Sequence, residues 1–96
     1  MSNSNAFILS QLHGEAKALD RFVEAFKSFA DSDQKFMTVY ETTAVGGKKE
    51  VGWITASTKE ELAKAIVPVE SNTIYCRMYV FEWDLGINLI ESKLVD

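Results

Sequence analysis

Asn72-Thr73-Ile74-Tyr75-Cys76-Arg77-Met78-Tyr79-Val80-Phe81-Glu82-Trp83 is the stretch on which the fold turns. It is rich in β-branched and aromatic residues and reads as one long strand. Side chains alternate across a strand, so Ile74, Cys76, Met78 and Val80 form one set. Tyr75, Arg77, Tyr79, Phe81 and Trp83 form the other. One side is aliphatic and the other is a row of rings around a single arginine. Asp84-Leu85-Gly86 then turns the chain, and Ile87 to Val95 adds an edge strand or an arm.

Working towards the N-terminus, Pro68 closes a helix, because proline disfavours helical geometry in the residue before it. That helix opens at Ser57 or Thr58, with Glu60 and Glu61 three residues on in a capping-box spacing. Leu62, Ala63, Ile66 and Val67 are its buried stripe. Before it, Lys35 to Thr43 and Glu50 to Ala56 form a hairpin around Gly46-Gly47, two residues that tolerate the positive φ of a tight turn. Asp31-Ser32-Asp33 is a loop. Leu19, Phe22, Val23, Phe26, Phe29 and Ala30 recur at helical spacing, with Glu15, Lys17, Asp20, Glu24 and Lys27 largely opposite them. Ala6 to His13, ending at Gly14, reads as a first strand. Ile8, Leu12 and Ala16 equally extend the helical spacing backwards, into a helix of about 26 residues, or roughly 39 Å. Gly14 would cost that long helix about 1 kcal/mol relative to alanine. Met1 to Asn5 form a polar leader.

The order strand, helix, strand, strand, helix, strand is the α+β, ferredoxin-like βαββαβ arrangement. It predicts a single domain over 6–96, an antiparallel sheet with both helices on one face, and the C-terminal strand or arm as an addition. The slimmer sets, among them Met37 and Val39, are expected beneath the helices, where Gly52 would let a helix approach closely. The rings Phe36, Tyr40, Trp53, Tyr75, Tyr79, Phe81 and Trp83, with Arg77 among them, are then expected on the uncovered face. They are seven of eleven aromatic residues in the chain, and offer about 1,000 Å² or more of contact surface. Contiguous apolar patches on monomers rarely exceed a few hundred Å². A second copy packed through a twofold axis is the simplest cover.

Ala18-Leu19-Asp20-Arg21-Phe22-Val23-Glu24-Ala25-Phe26-Lys27, the hairpin, and Ser57-Thr58-Lys59-Glu60-Glu61-Leu62 together resemble the dimeric α+β barrel proteins. That superfamily includes small monooxygenases, haem-degrading enzymes and non-catalytic members, so the resemblance implies a homodimer. No catalytic residue of the superfamily matches a position here, and the arm after Trp83 departs from its simplest pattern.

Composition narrows the function classes. The chain has 96 residues, 47% hydrophobic and 25% charged, with a net charge of −4. That balance disfavours nucleic acid, which is gripped through a basic footprint. The longest apolar run, Ala6 to Leu9, is far too short to cross a membrane. One cysteine, Cys76, fits a reducing cytoplasm and reads as a small core hydrophobe. His13, the only histidine, is a candidate base or ligand, and with Arg77 a candidate ligand-binding pair; the bland alternative is a polar residue at a strand end. No metal set and no cofactor motif is present, since Gly46-Gly47-Lys48-Lys49 lacks P-loop spacing. The leading expectation is a non-enzymatic protein-interaction module, homodimerising through the aromatic face and regulating or inhibiting another protein. The alternative is a small dimeric α+β barrel enzyme or ligand-binding protein with a pocket near His13 and Arg77.

Overall fold

The computed structural model describes residues 16–95. The leader, the expected first strand Ala6 to His13 and therefore His13 itself lie outside them. The elements run α1 (Ala16–Asp31), β1 (Phe36–Ala44), β2 (Lys49–Ala56), α2 (Lys59–Ser71), β3 (Thr73–Trp83) and β4 (Ile87–Val95). The four strands form one antiparallel sheet in the order β2-β1-β3-β4. No helix among the described residues is long and apolar enough to cross a membrane.

The α+β class and the antiparallel sheet match the sequence reading, but the ferredoxin-like order does not. A ferredoxin-like sheet seats the strand before its first helix inside the sheet. Here β1 pairs directly with β3 from Phe36 to Ala44, so nothing can be inserted between them. The order over the described residues is αββαββ.

The two helices also lie on opposite faces. On α1, Phe22, Ala25, Phe26 and Phe29 pack on Met37, Val39, Tyr79 and Phe81. On α2, Leu62 and Ile66 pack on Phe36, Ala56, Cys76 and Met78. Register explains why the expectation failed. Met37 stands opposite Phe81 and Val39 opposite Tyr79, so the aliphatic set of β1 shares a face with the aromatic set of β3. Sorting within each strand was sound, but matching the sets by size joined the wrong ones.

Local signals explain the boundaries. Gly46 and Gly47 take φ of 104° and 91°, and Gly47 N–H donates to the Ala44 carbonyl at 2.9 Å, closing the expected hairpin. Thr58 caps α2: its hydroxyl accepts from Glu61 N–H at 3.1 Å, while the Glu61 carboxylate accepts from Ser57 N–H at 3.3 Å. The helix does not stop at Pro68 but runs one turn further, to Ser71. Pro68 and Lys64, whose carbonyl loses its usual amide donor, both lie exposed, so water can serve the carbonyl. The Pro68 carbonyl accepts from the Asn72 side-chain amide at 2.8 Å and the Ser71 hydroxyl at 3.2 Å, which holds the final turn. Of the expected stripe, Leu62 and Ile66 are buried, and Ala63 and Val67 are exposed.

Candidate interaction surface

The eight residues expected to line one interface are divided by the fold. Phe36 is buried and Tyr40 half-buried on the α2 face. Tyr79 and Phe81 are buried beneath α1, where Phe81 meets Phe26 edge-on at 4.9 Å between ring centroids. Trp53 is half-buried on the same face, with the Arg21 guanidinium 5.1 Å from its ring centroid. Tyr75 and Arg77 are half-buried further along β3. Only Trp83 stays well exposed, at 45%, although Phe29 approaches it edge-on at 6.3 Å. Among the described residues neither face of the sheet is an uncovered aromatic one. The rings are mostly core.

Gly52 also has a different use from the expected one. A Cβ there would stand 2.5 Å from the Tyr40 hydroxyl oxygen, so glycine admits the Tyr40 ring rather than a helix. Burial, then the charges of Glu50 and Cys76, push the Tyr40 phenol pKa up, with Arg21 opposing them.

Among the described residues the polar candidates do not assemble a catalytic site. Arg77 faces Glu41 across the β1–β3 ladder, and Glu41 is only 2% exposed. Hydrogen bonding to Tyr79 raises the Arg77 pKa; burial opposes this, while the charges of Tyr79, Tyr75 and Glu41 add to the rise. A guanidinium held so firmly protonated can balance a buried acid but cannot accept a proton. Cys76 is fully buried, and burial first, then Glu70 and Glu41, raise its thiol pKa against the opposing charge of Lys93. That disfavours the thiolate a nucleophile needs. Glu82 is engaged by Lys35 at 3.9 Å. Among the described residues no three His, Cys, Asp or Glu side chains gather as a metal set would.

What the fold does leave open is one edge. The helix backbones run nearest β2 and β1, while α1 side chains also pack on Tyr79 and Phe81 of β3 and reach Ile87 and Leu89 at the start of β4. The far half of β4, from Ile90 to Leu94, is exposed. Four of the eight exposed large apolar residues among the described ones lie here, Trp83 and Leu85 at the turn and Ile90 and Leu94 along β4, with Val23 of α1 beside the turn; Val45 and Val67 lie elsewhere, and Ile74 sits near the start of β3. Val23, Phe26, Ala30, Trp83 and Ile87 line an apolar groove of about 380 Å³ between α1 and the hairpin turn, with Lys27 at its side. A second groove of about 380 Å³ lies on the opposite face between α2 and β4, where Leu62, Ile66, Met78 and Val80 are flanked by Glu70, Glu91 and Lys93.

Leu85 marks the turn. It is fully exposed and has φ of 54°, a left-handed conformation that Gly, Asn and Asp adopt far more readily than leucine. Such a turn position ordinarily carries one of those residues. The signal was present in Asp84-Leu85-Gly86, where an apolar side chain occupies a turn centre, and sequence reading passed over it. It also missed Val23, which belongs to the helical stripe but sits at its open margin.

Comparison with known proteins adds no name to this arrangement: no family model, curated protein or solved structure matches the chain. None of these comparisons bears on the resemblance to dimeric α+β barrels.

Proposed function

We propose that this chain is a small non-enzymatic protein-interaction module that acts as a homodimer, with the β3–β4 hairpin side as its contacting side. The observation that carries this reading is the exposed run from Ile90 to Leu94 along β4, in which Ile90 and Leu94 are large apolar residues. Leu85 supports the turn as the side offered to a different protein, because an exposed leucine held at positive φ has neither burial nor relaxed backbone geometry to favour it. The apolar groove beside Trp83 is the surface offered to a regulated protein partner. A lone, fully buried cysteine fits the reducing cytoplasm as the place of action.

Catalysis is the weaker reading. Arg77 is fixed as a cation, Cys76 is sealed in the core, and the recess beside Arg77, formed with Tyr79, Ser92, Lys93 and Leu94, has no carboxylate or imidazole among these lining residues. The test is the mass in solution, by sedimentation velocity over a wide range of concentration. A dimer that weakens when Ile90 and Leu94 are replaced together supports the proposal. A species that stays monomeric at the highest soluble concentration would remove it.

A further inference from the structure

β4 is the outer strand of the sheet, and among the described residues its far side meets no other strand. Its sequence is Ile87-Asn88-Leu89-Ile90-Glu91-Ser92-Lys93-Leu94-Val95. The register against β3 shifts between Val80 and Phe81, so that Leu89 faces Phe81 while Glu91 faces Val80, and Ile90 is the extra residue of a bulge. Beyond that bulge, Glu91 to Val95 is regular.

Two copies of such an edge can pair only in certain ways. In an antiparallel pair, facing residues must both direct their backbone groups towards each other or both away, so a twofold axis has to pass through a residue rather than between two. An axis at Glu91 sets Glu91 against its own copy, and an axis at Lys93 does the same for lysine. Like charges directly opposite are destabilising. Axes at Ile90 or Leu94 set charged residues against apolar ones. An axis at Ser92 differs from all of these: Glu91 faces Lys93, Lys93 faces Glu91, and Ile90 faces Leu94. Ile90 and Leu94, exposed at 39% and 52%, would then lose water together.

We propose that β4 pairs antiparallel with β4 of a second copy about a twofold axis at Ser92, joining two four-stranded sheets into one. This deepens the proposed homodimer and rests on it, naming the surface and the register. Charges on an edge strand also serve to block pairing. Here they select a single register instead, because their order is complementary to itself. Lys93 is already 3.5 Å from Glu70 of α2, so Glu91 of the second copy would complete an acid–base–acid row along the α2 face. The axis lies towards the far end of β4 from the groove at Trp83 and Ile87, which stays open for a different protein.

Residues on the axis make the register testable. Facing residues of an antiparallel pair have Cα atoms about 4.5–5.5 Å apart, within the range a disulfide spans. Ser92→Cys is therefore expected to form a covalent dimer under mild oxidation, while the wild type, whose Cys76 is buried, does not. Glu91→Lys, which leaves the Lys93–Glu70 contact intact, is expected to weaken the dimer about tenfold, since symmetry places two like-charged pairs at the interface. The swap Glu91→Lys with Lys93→Glu is expected to restore much of it. If light scattering finds a dimer that Ser92→Cys fails to cross-link and Glu91→Lys leaves intact, the β4 register is overturned and the homodimer survives. A wild type that remains monomeric overturns both, whether the edge is then bare or covered by the chain's own segment before α1.

Discussion

The two faces of the sheet are built differently, although one set of strands supplies both. The α1 face is made of rings: Phe22, Phe26 and Phe29 of the helix meet Tyr79, Phe81 and Trp53 of the sheet. The α2 face carries smaller groups, with Gly52, Ala56 and Cys76 below Leu62 and Ile66, and takes its bulk from Phe36 and Tyr40. Large rings give α1 strong attachment without a long apolar stripe. The stripe of α2 is reduced to two fully buried residues, and a capping network holds its start. One helix is anchored by packing, the other by packing and caps in concert.

The sharpest way to break that comparison is to remove one anchor from each helix. Phe26→Ala is expected to destabilise by about 3–5 kcal/mol and Leu62→Ala by about 2–5 kcal/mol. Within one set of urea titrations the first should be the larger. If Leu62→Ala costs more, the assignment of the main anchoring to the α1 face fails.

Gly52→Ala sharpens the picture of the α2 face. The added methyl meets the Tyr40 ring, and the expected loss is about 1–3 kcal/mol. The same change in a Tyr40→Ala background should cost clearly less. Equal costs in both backgrounds would show that the glycine is needed for some other reason.

Thr58→Ala tests the contribution of the caps. It removes the acceptor for Glu61 N–H and is expected to cost about 1 kcal/mol, read from the denaturation midpoint. A change near zero would leave α2 held by packing alone.

The smallest effect has the opposite sign. Leu85→Asn relieves the left-handed strain at the β3–β4 turn and should stabilise an isolated subunit by about 0.5 kcal/mol. Measured at a concentration where the dimer dissociates, a gain in stability shows that the subunit's own fold does not need the leucine at this turn. A loss of stability would show that the leucine serves the fold itself.

Particular residues show how far the sequence carried. The hairpin around Gly46-Gly47 and a cap at Ser57 or Thr58 were legible, because each depends on chemistry within a few positions, whereas Ile87–Val95 read equally as a strand or an arm and only its pairing with β3 made it a strand. The site was less so. Of the expected interface residues, Trp83 is the one that remains well exposed, while the apolar cluster around Leu85, Ile90 and Leu94 had no local signature beyond an unusual turn residue. Pro68 misled for a related reason: its effect depends on whether exposed carbonyls and nearby side chains can absorb the missing donor.

Sequence by itself determined which residues share a side of each strand and each helix, since alternation and helical pitch are properties of the backbone alone. Which side of β1 joins which side of β3 was decided only in the tertiary structure. A slip of one residue in register moves every ring to the other face, and register is set by contacts between segments far apart in the chain. The placing of one helix on each face of the sheet, and the exposed run from Ile90 to Leu94, belong to that same level.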